Sequence, residues 1–165
     1  MPNDDVEIIT PPNLLKAKVT VGGPNAVDEA ALARAEQVIA GMKGSYIEWV
    51  KSDFERVETA YKRLVNGEGE RSANLDEIFS VSHDMKGQGG SFGYDLVTAI
   101  ANHLCRLIEK FGEQNPDDLE NEAIRIHIEA MKLVITQDMS GDGGDTGKAI
   151  LAGIQKMDAR IVSKG

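Results

Sequence analysis

Cysteine, long apolar runs and basic charge are all scarce in this sequence, and each shortage excludes a class of protein. The one cysteine, Cys105, permits no internal disulfide. A chain of 165 residues buries a sizeable core without a disulfide framework or a structural metal. No stretch approaches the roughly 20 apolar residues that a transmembrane helix needs. The N-terminal MPNDDVEIITPP lacks the basic region followed by an apolar region that marks a signal peptide. Lys and Arg number 18 against 27 Asp and Glu, a net charge of −9. An acidic surplus opposes both nucleic-acid binding and polybasic membrane docking, because each requires a basic face. What remains is one soluble domain, with the cytoplasm as its expected location.

Strand-type alternation is absent as well, and the periodicity present is helical. Residues 1–27 hold Pro2, Pro11, Pro12 and Pro24 with Gly22 and Gly23 and show no sustained period, so they are expected to form an irregular arm. From the expected N-cap Asp28, Leu32, Ala35, Val38, Ile39 and Met42 recur at spacings of three and four, and Gly41 with Gly44 predicts a break. Further runs cover about 45–65, 73–91 and 94–111, each with one apolar stripe, and a fifth begins after Pro116. That fifth run carries two stripes on nearly opposite sides: Leu119, Ala123, Ile126, Ala130, Leu133 and Val134, and Ile124, Ile128, Met131 and Ile135. Such a helix must be covered on two sides. The expected fold is all-α, a single domain over 28–165. An antiparallel four-helix bundle with its core at about 45–138 carries an additional N-terminal helix and a C-terminal helix at about 146–162.

The most informative segment is Ser80-Val81-Ser82-His83-Asp84-Met85-Lys86-Gly87-Gln88-Gly89-Gly90-Ser91-Phe92-Gly93. A glycine costs about 1 kcal/mol relative to alanine inside a helix, so Gly87, Gly89 and Gly90 give up stability that needs a reason. On the helical wheel His83 falls about 120° from the centre of the apolar stripe, flanked by Gly87 and Gly90. His83 is thus expected on an exposed face. A bulky side chain one turn on, at 87, would screen the imidazole, whereas glycine leaves it open to an approaching protein. Lys86, at i+3, brings a flexible ammonium suited to a phosphoryl group placed on the ring. Histidine can carry such a group covalently and splits one transfer into two.

These residues, His83 to Gly93, resemble the signature of histidine-containing phosphotransfer (HPt) domains: a helical His followed by a hydrophobic residue, Lys and Gly, small residues, then an apolar residue and Gly. The resemblance covers about 11 residues directly and extends in kind over the two-helix hairpin through Glu109. It implies a four-helix bundle whose histidine takes a phosphoryl group from a receiver-domain aspartate or a sensor histidine kinase and passes it to a response regulator. On this resemblance His83 is the phosphoacceptor, Lys86 the charge stabiliser and Gly87 the residue that opens access. Met85, Phe92 and Gly93 match structural positions. Gly87, Gln88 and Gly90 would form the docking strip. A polar side chain of the following helix would orient the imidazole, with Asn102, Cys105 and Arg106 as candidates. The chain itself would bind no cofactor, Mg²⁺ belonging to the partner receiver, and would act as a monomeric phosphocarrier rather than an enzyme with an ATP site.

Two other readings are open at the level of sequence. One keeps the bundle as a non-catalytic interaction module in which His83 carries nothing. The other is a metal-binding bundle using His83, His103 and His127, although their predicted faces diverge and His127 is better read as a hydrogen-bonded core or boundary histidine. The segment from Asp138 has the start of a calcium loop but places Ala149 where a bidentate Glu is needed. Gly141 to Lys148 fails as a P-loop because Asp and Ala stand at 142 and 149. Cys105 has no base spaced to activate it and is expected to be a packed residue.

Overall fold

The computed structural model describes residues 28–112 and 115–164, all in helices or the turns between them. The expected irregular arm, 1–27, lies outside the described residues. Five α-helices follow in order: α1 (Glu29–Asn66), α2 (Arg71–Gly89), α3 (Asp95–Lys110), α4 (Asp118–Thr136) and α5 (Gly144–Val162), with a 3₁₀ turn at Gly90–Phe92 between α2 and α3. No strand occurs among the described residues.

The expected break at Gly41 and Gly44 does not form, so the separate N-terminal helix is the beginning of α1, which runs unbroken for 38 residues. The cause is local. Neither glycine takes the positive φ that ends a helix, and a Cβ at either would meet nothing. Two isolated penalties of about 1 kcal/mol among good helix formers weaken a helix without stopping it. Asp28 caps α1 as expected, its carboxylate accepting from Ala30 N at 3.0 Å. The chain divides between Val38 and Ile39 into two units. Of the first, Asp28–Val38 are exposed throughout, and Arg34 pairs with Asp28 at 3.5 Å.

In the second unit the helices bury the stripes the sequence spaces at three and four. Tyr46, Val50, Phe54 and Val57 of α1 meet Leu75, Ile78, Val81 and Met85 of α2, Val97, Ile100 and Leu104 of α3, and Ile124, Ile128 and Met131 of α4. The two stripes of α4 are covered unequally. Ile124, Ile128, Met131 and Ile135 are buried, whereas on the other stripe Leu133 stays 46% exposed. α5 supplies that second cover with Ile154 and Ile161. The start of α4 is fixed by a capping box: Asp117 accepts from Glu120 N, and Glu120 accepts from Asp117 N, both at 2.8 Å.

One end of the unit is closed by turns that position the site. Gly93, at φ 83°, ends the 3₁₀ turn in the left-handed region that glycine favours. Its carbonyl accepts from Gly141 N at 2.7 Å, and Leu96 N donates to Gly141 O at 3.0 Å, so the glycine-rich link before α5 is stitched onto the start of α3. Tyr46 stacks on Phe92 with ring centroids 4.3 Å apart. Tyr94 donates to Asp138 at 2.6 Å, and Lys43 reaches the same carboxylate at 3.0 Å.

Candidate functional site

α2 turns Val81, Ser82 and Met85 into the core, which leaves His83 and Asp84 outward. His83 is exposed, Lys86 is half-buried three residues on, and Gly87, Gln88 and Gly90 are exposed. A Cβ at Gly87 would meet nothing within 4 Å, so the space one turn beyond the imidazole is open. The ring itself rests near Phe79, one turn back, with centroids 6.0 Å apart and planes 24° apart. Phe79 therefore supports one side of the imidazole while the Gly87 side stays clear.

The three glycines have distinct surroundings. At Gly89 a Cβ would fall 2.8 Å from Thr98 Oγ1, 3.0 Å from Tyr94 O and 3.1 Å from Thr98 N, so α3 approaches too closely for any side chain. Gly90 donates its N–H to Thr98 Oγ1 at 2.9 Å, and that hydroxyl donates to Lys86 O at 3.0 Å. Thr98 thus bridges two main-chain groups at the end of α2, one of them a carbonyl of the last turn, where helical donors run out. It fixes the backbone that carries Lys86. Thr98 and Phe79 are the two residues that the sequence did not single out as parts of the site. The i−4 spacing of Phe79 was a usable signal; nothing local marks Thr98.

The three candidates for orienting His83 part company. Asn102 is half-buried and Cys105 buried on α3. Burial pushes the Cys105 thiol up, against a smaller downward pull from the Lys86 charge, which opposes a nucleophilic role. Arg106 is exposed and opens instead onto a recess between α3 and α5 with His103, Lys110 and Asp158. Among the described residues none of the three hydrogen-bonds the His83 ring. The other histidines lie elsewhere: His127 is fully buried, with Nδ1 2.8 Å from Ala123 O, and His103 Nδ1 is 2.9 Å from Asp158 Oδ2. Of the core and boundary placements expected for His127, the structure takes the core one. Among the described residues no group of three or more His, Cys, Asp or Glu side chains is arranged to hold a metal ion.

α2 thus presents an exposed His83 with an open glycine position one turn on and a half-buried Lys86 three residues on. The family described as Hpt domain matches residues 41–137, more than half of the chain, and takes in α2, α3 and the whole glycine segment. The chain belongs to the Hpt domain family. Membership supports a phosphotransfer-type role in a phosphorelay, as a carrier module rather than a typical enzyme. No curated protein and no solved structure matches the chain. No helix among the described residues is long and apolar enough to cross a membrane.

Proposed function

We propose that the protein is a phosphorelay intermediate that carries its phosphoryl group on His83. The unprotonated ring nitrogen attacks the phosphorus of a receiver's aspartyl phosphate in line, the N–P bond forms, and the aspartyl carboxylate leaves with the electrons of the P–O bond. The second ring nitrogen keeps its proton. Lys86 offsets the charge of the transferring group, and the divalent cation is the receiver's. The reverse reaction hands the group to an aspartate of a response regulator. The kinase or receiver that donates and the regulator that accepts work in the cytoplasm, and this chain needs no ATP site of its own.

The observation that carries this reading is the exposed His83 with empty space at Gly87, one turn on, inside the segment matched by the family. It favours docking of a bulky partner directly over the ring. The test is transfer from a panel of phosphorylated receiver domains to the full chain, wild type against His83→Gln. Acid-labile label on the wild type alone is the expected result. Equal label on the folded His83→Gln protein would remove His83 from the role.

A further inference from the structure

Asp158, near the end of α5, lies between histidines from the two helices against which α5 packs. His103 of α3 places Nδ1 2.9 Å from Asp158 Oδ2, and His127 of α4 places Nε2 3.5 Å from Asp158 Oδ1. The side chain of His127 has no solvent exposure and that of Asp158 only 18%. Hydrogen-bond arithmetic restricts what this arrangement holds. His127 Nδ1 is 2.8 Å from the carbonyl of Ala123. A carbonyl only accepts, so Nδ1 carries a hydrogen and donates it. A neutral His127 then turns a bare lone pair at Nε2 toward Asp158 Oδ1. Neither atom has a hydrogen-bond partner among the described residues. Two buried acceptors facing each other are unfavourable, whereas one added proton converts them into a charge-assisted pair.

We propose that His127 and Asp158 share one proton and that this proton latches the C-terminal helix to the bundle. Burial pushes the Asp158 carboxyl up, but His127 and His103 together hold it below the usual carboxylate range. Imidazole is intrinsically a stronger base than carboxylate, so the carboxylate is the ionised member and the shared proton sits on the imidazole side. The groups facing Asp158 are His127 from α4 and His103 from α3, and Arg106 and Lys110 of α3 line the same recess of about 410 Å³. Raising the pH removes the shared proton, sets lone pair against carboxylate, and loosens α5 by local opening. The contribution is present at low pH and lost as pH rises, because the closed state binds the extra proton. This latch is independent of the phosphocarrier reading.

The test uses the full chain labelled with ¹⁵N, following imidazole nitrogen shifts and α5 amide exchange from about pH 5.5 to about pH 8.5, the range in which histidines titrate. The expected result is a doubly protonated His127 at the acid end that passes to the Nδ1–H tautomer, with α5 protection falling up to about tenfold per pH unit over the same interval. Asp158→Asn isolates the proton: its amide N–H donates to a neutral His127 Nε2 while its oxygen accepts from His103 Nδ1–H. That variant keeps α5 protected and loses the dependence on pH. His103→Gln, which removes the other titrating imidazole, keeps it. A His127 found in the Nε2–H tautomer, or with Nε2 bare at the acid end, would overturn the proposal, as would an unchanged pH slope in Asp158→Asn. Should that variant fail to fold, the wild-type imidazole shifts decide alone.

Discussion

Gly87 and Gly89 are two residues apart on α2, yet they answer to opposite constraints. At Gly87 there is room for a side chain, so Gly87→Ala is expected to stabilise the fold by about 0.5–1 kcal/mol, the helix preference of alanine over glycine. At Gly89 the new methyl would press on Thr98 and on the Tyr94 carbonyl. Backbone there must shift, and the expected net loss is on the order of 1–3 kcal/mol. Urea unfolding of the two variants reads the difference, and an equally stable Gly89→Ala would show that α3 recedes freely. Function separates them the other way. Gly87→Trp is expected to fold and yet to block transfer by covering the imidazole, measured with the same phosphorylated receivers. Retained transfer in that folded protein would rule out docking over this turn.

Elements were legible in the sequence where their signals are local. The i, i+3 and i+4 pattern around His83 is contained in one turn of helix, and the apolar spacings of α2 and α3 each fit one face and those of α4 two, so faces and approximate ends could be read directly. The continuity of α1 was not legible, because a glycine pair at 41 and 44 reads as punctuation until the absence of positive φ is known. Thr98 and Asp158 escaped for a different reason: their partners lie on other helices, and only packing brings Lys86 O to Thr98 or His127 to Asp158. The cap of α4 lies between these cases, since Asp117 and Glu120 have capping-box spacing and the structure closes both bonds. Asp117→Ala leaves the Glu120 amide without its acceptor and breaks the pair with Lys164. A melting temperature lower by about 2–4 °C is expected for losing such a cap in a domain of this size, and Asp117→Ser should recover most of it. An unchanged melting curve for the alanine variant would mean that α4 is fixed by its buried stripes alone.

At the scale of the whole molecule, carboxylates join helices that are distant in sequence, which ties stability to acid. Asp138 follows α4 and accepts from Tyr94, before α3, and from Lys43 of α1; these bonds hold its carboxyl below the usual range. Asp158 does the corresponding work at α5, its downward pull from His127 and His103 exceeding the upward push of burial. For a carboxyl whose folded value is depressed, the stabilisation is complete above the unfolded value near 3.8 and is lost as pH falls through the folded value. Stability is therefore expected to decline below about pH 4. Asp138→Asn should flatten part of that acid limb, because an amide neither titrates nor pairs with the Lys43 charge, while leaving the pH dependence of α5 protection unchanged. Asp158→Asn should flatten both the acid limb and that α5 dependence. Thermal unfolding followed from about pH 2.5 to about pH 8.5 separates the two carboxylates. An Asp138→Asn protein with the wild-type acid limb would show that the junction of α1, α3 and α4 is held by the stacked Tyr46, Phe92 and Tyr94 rings rather than by its ion pair.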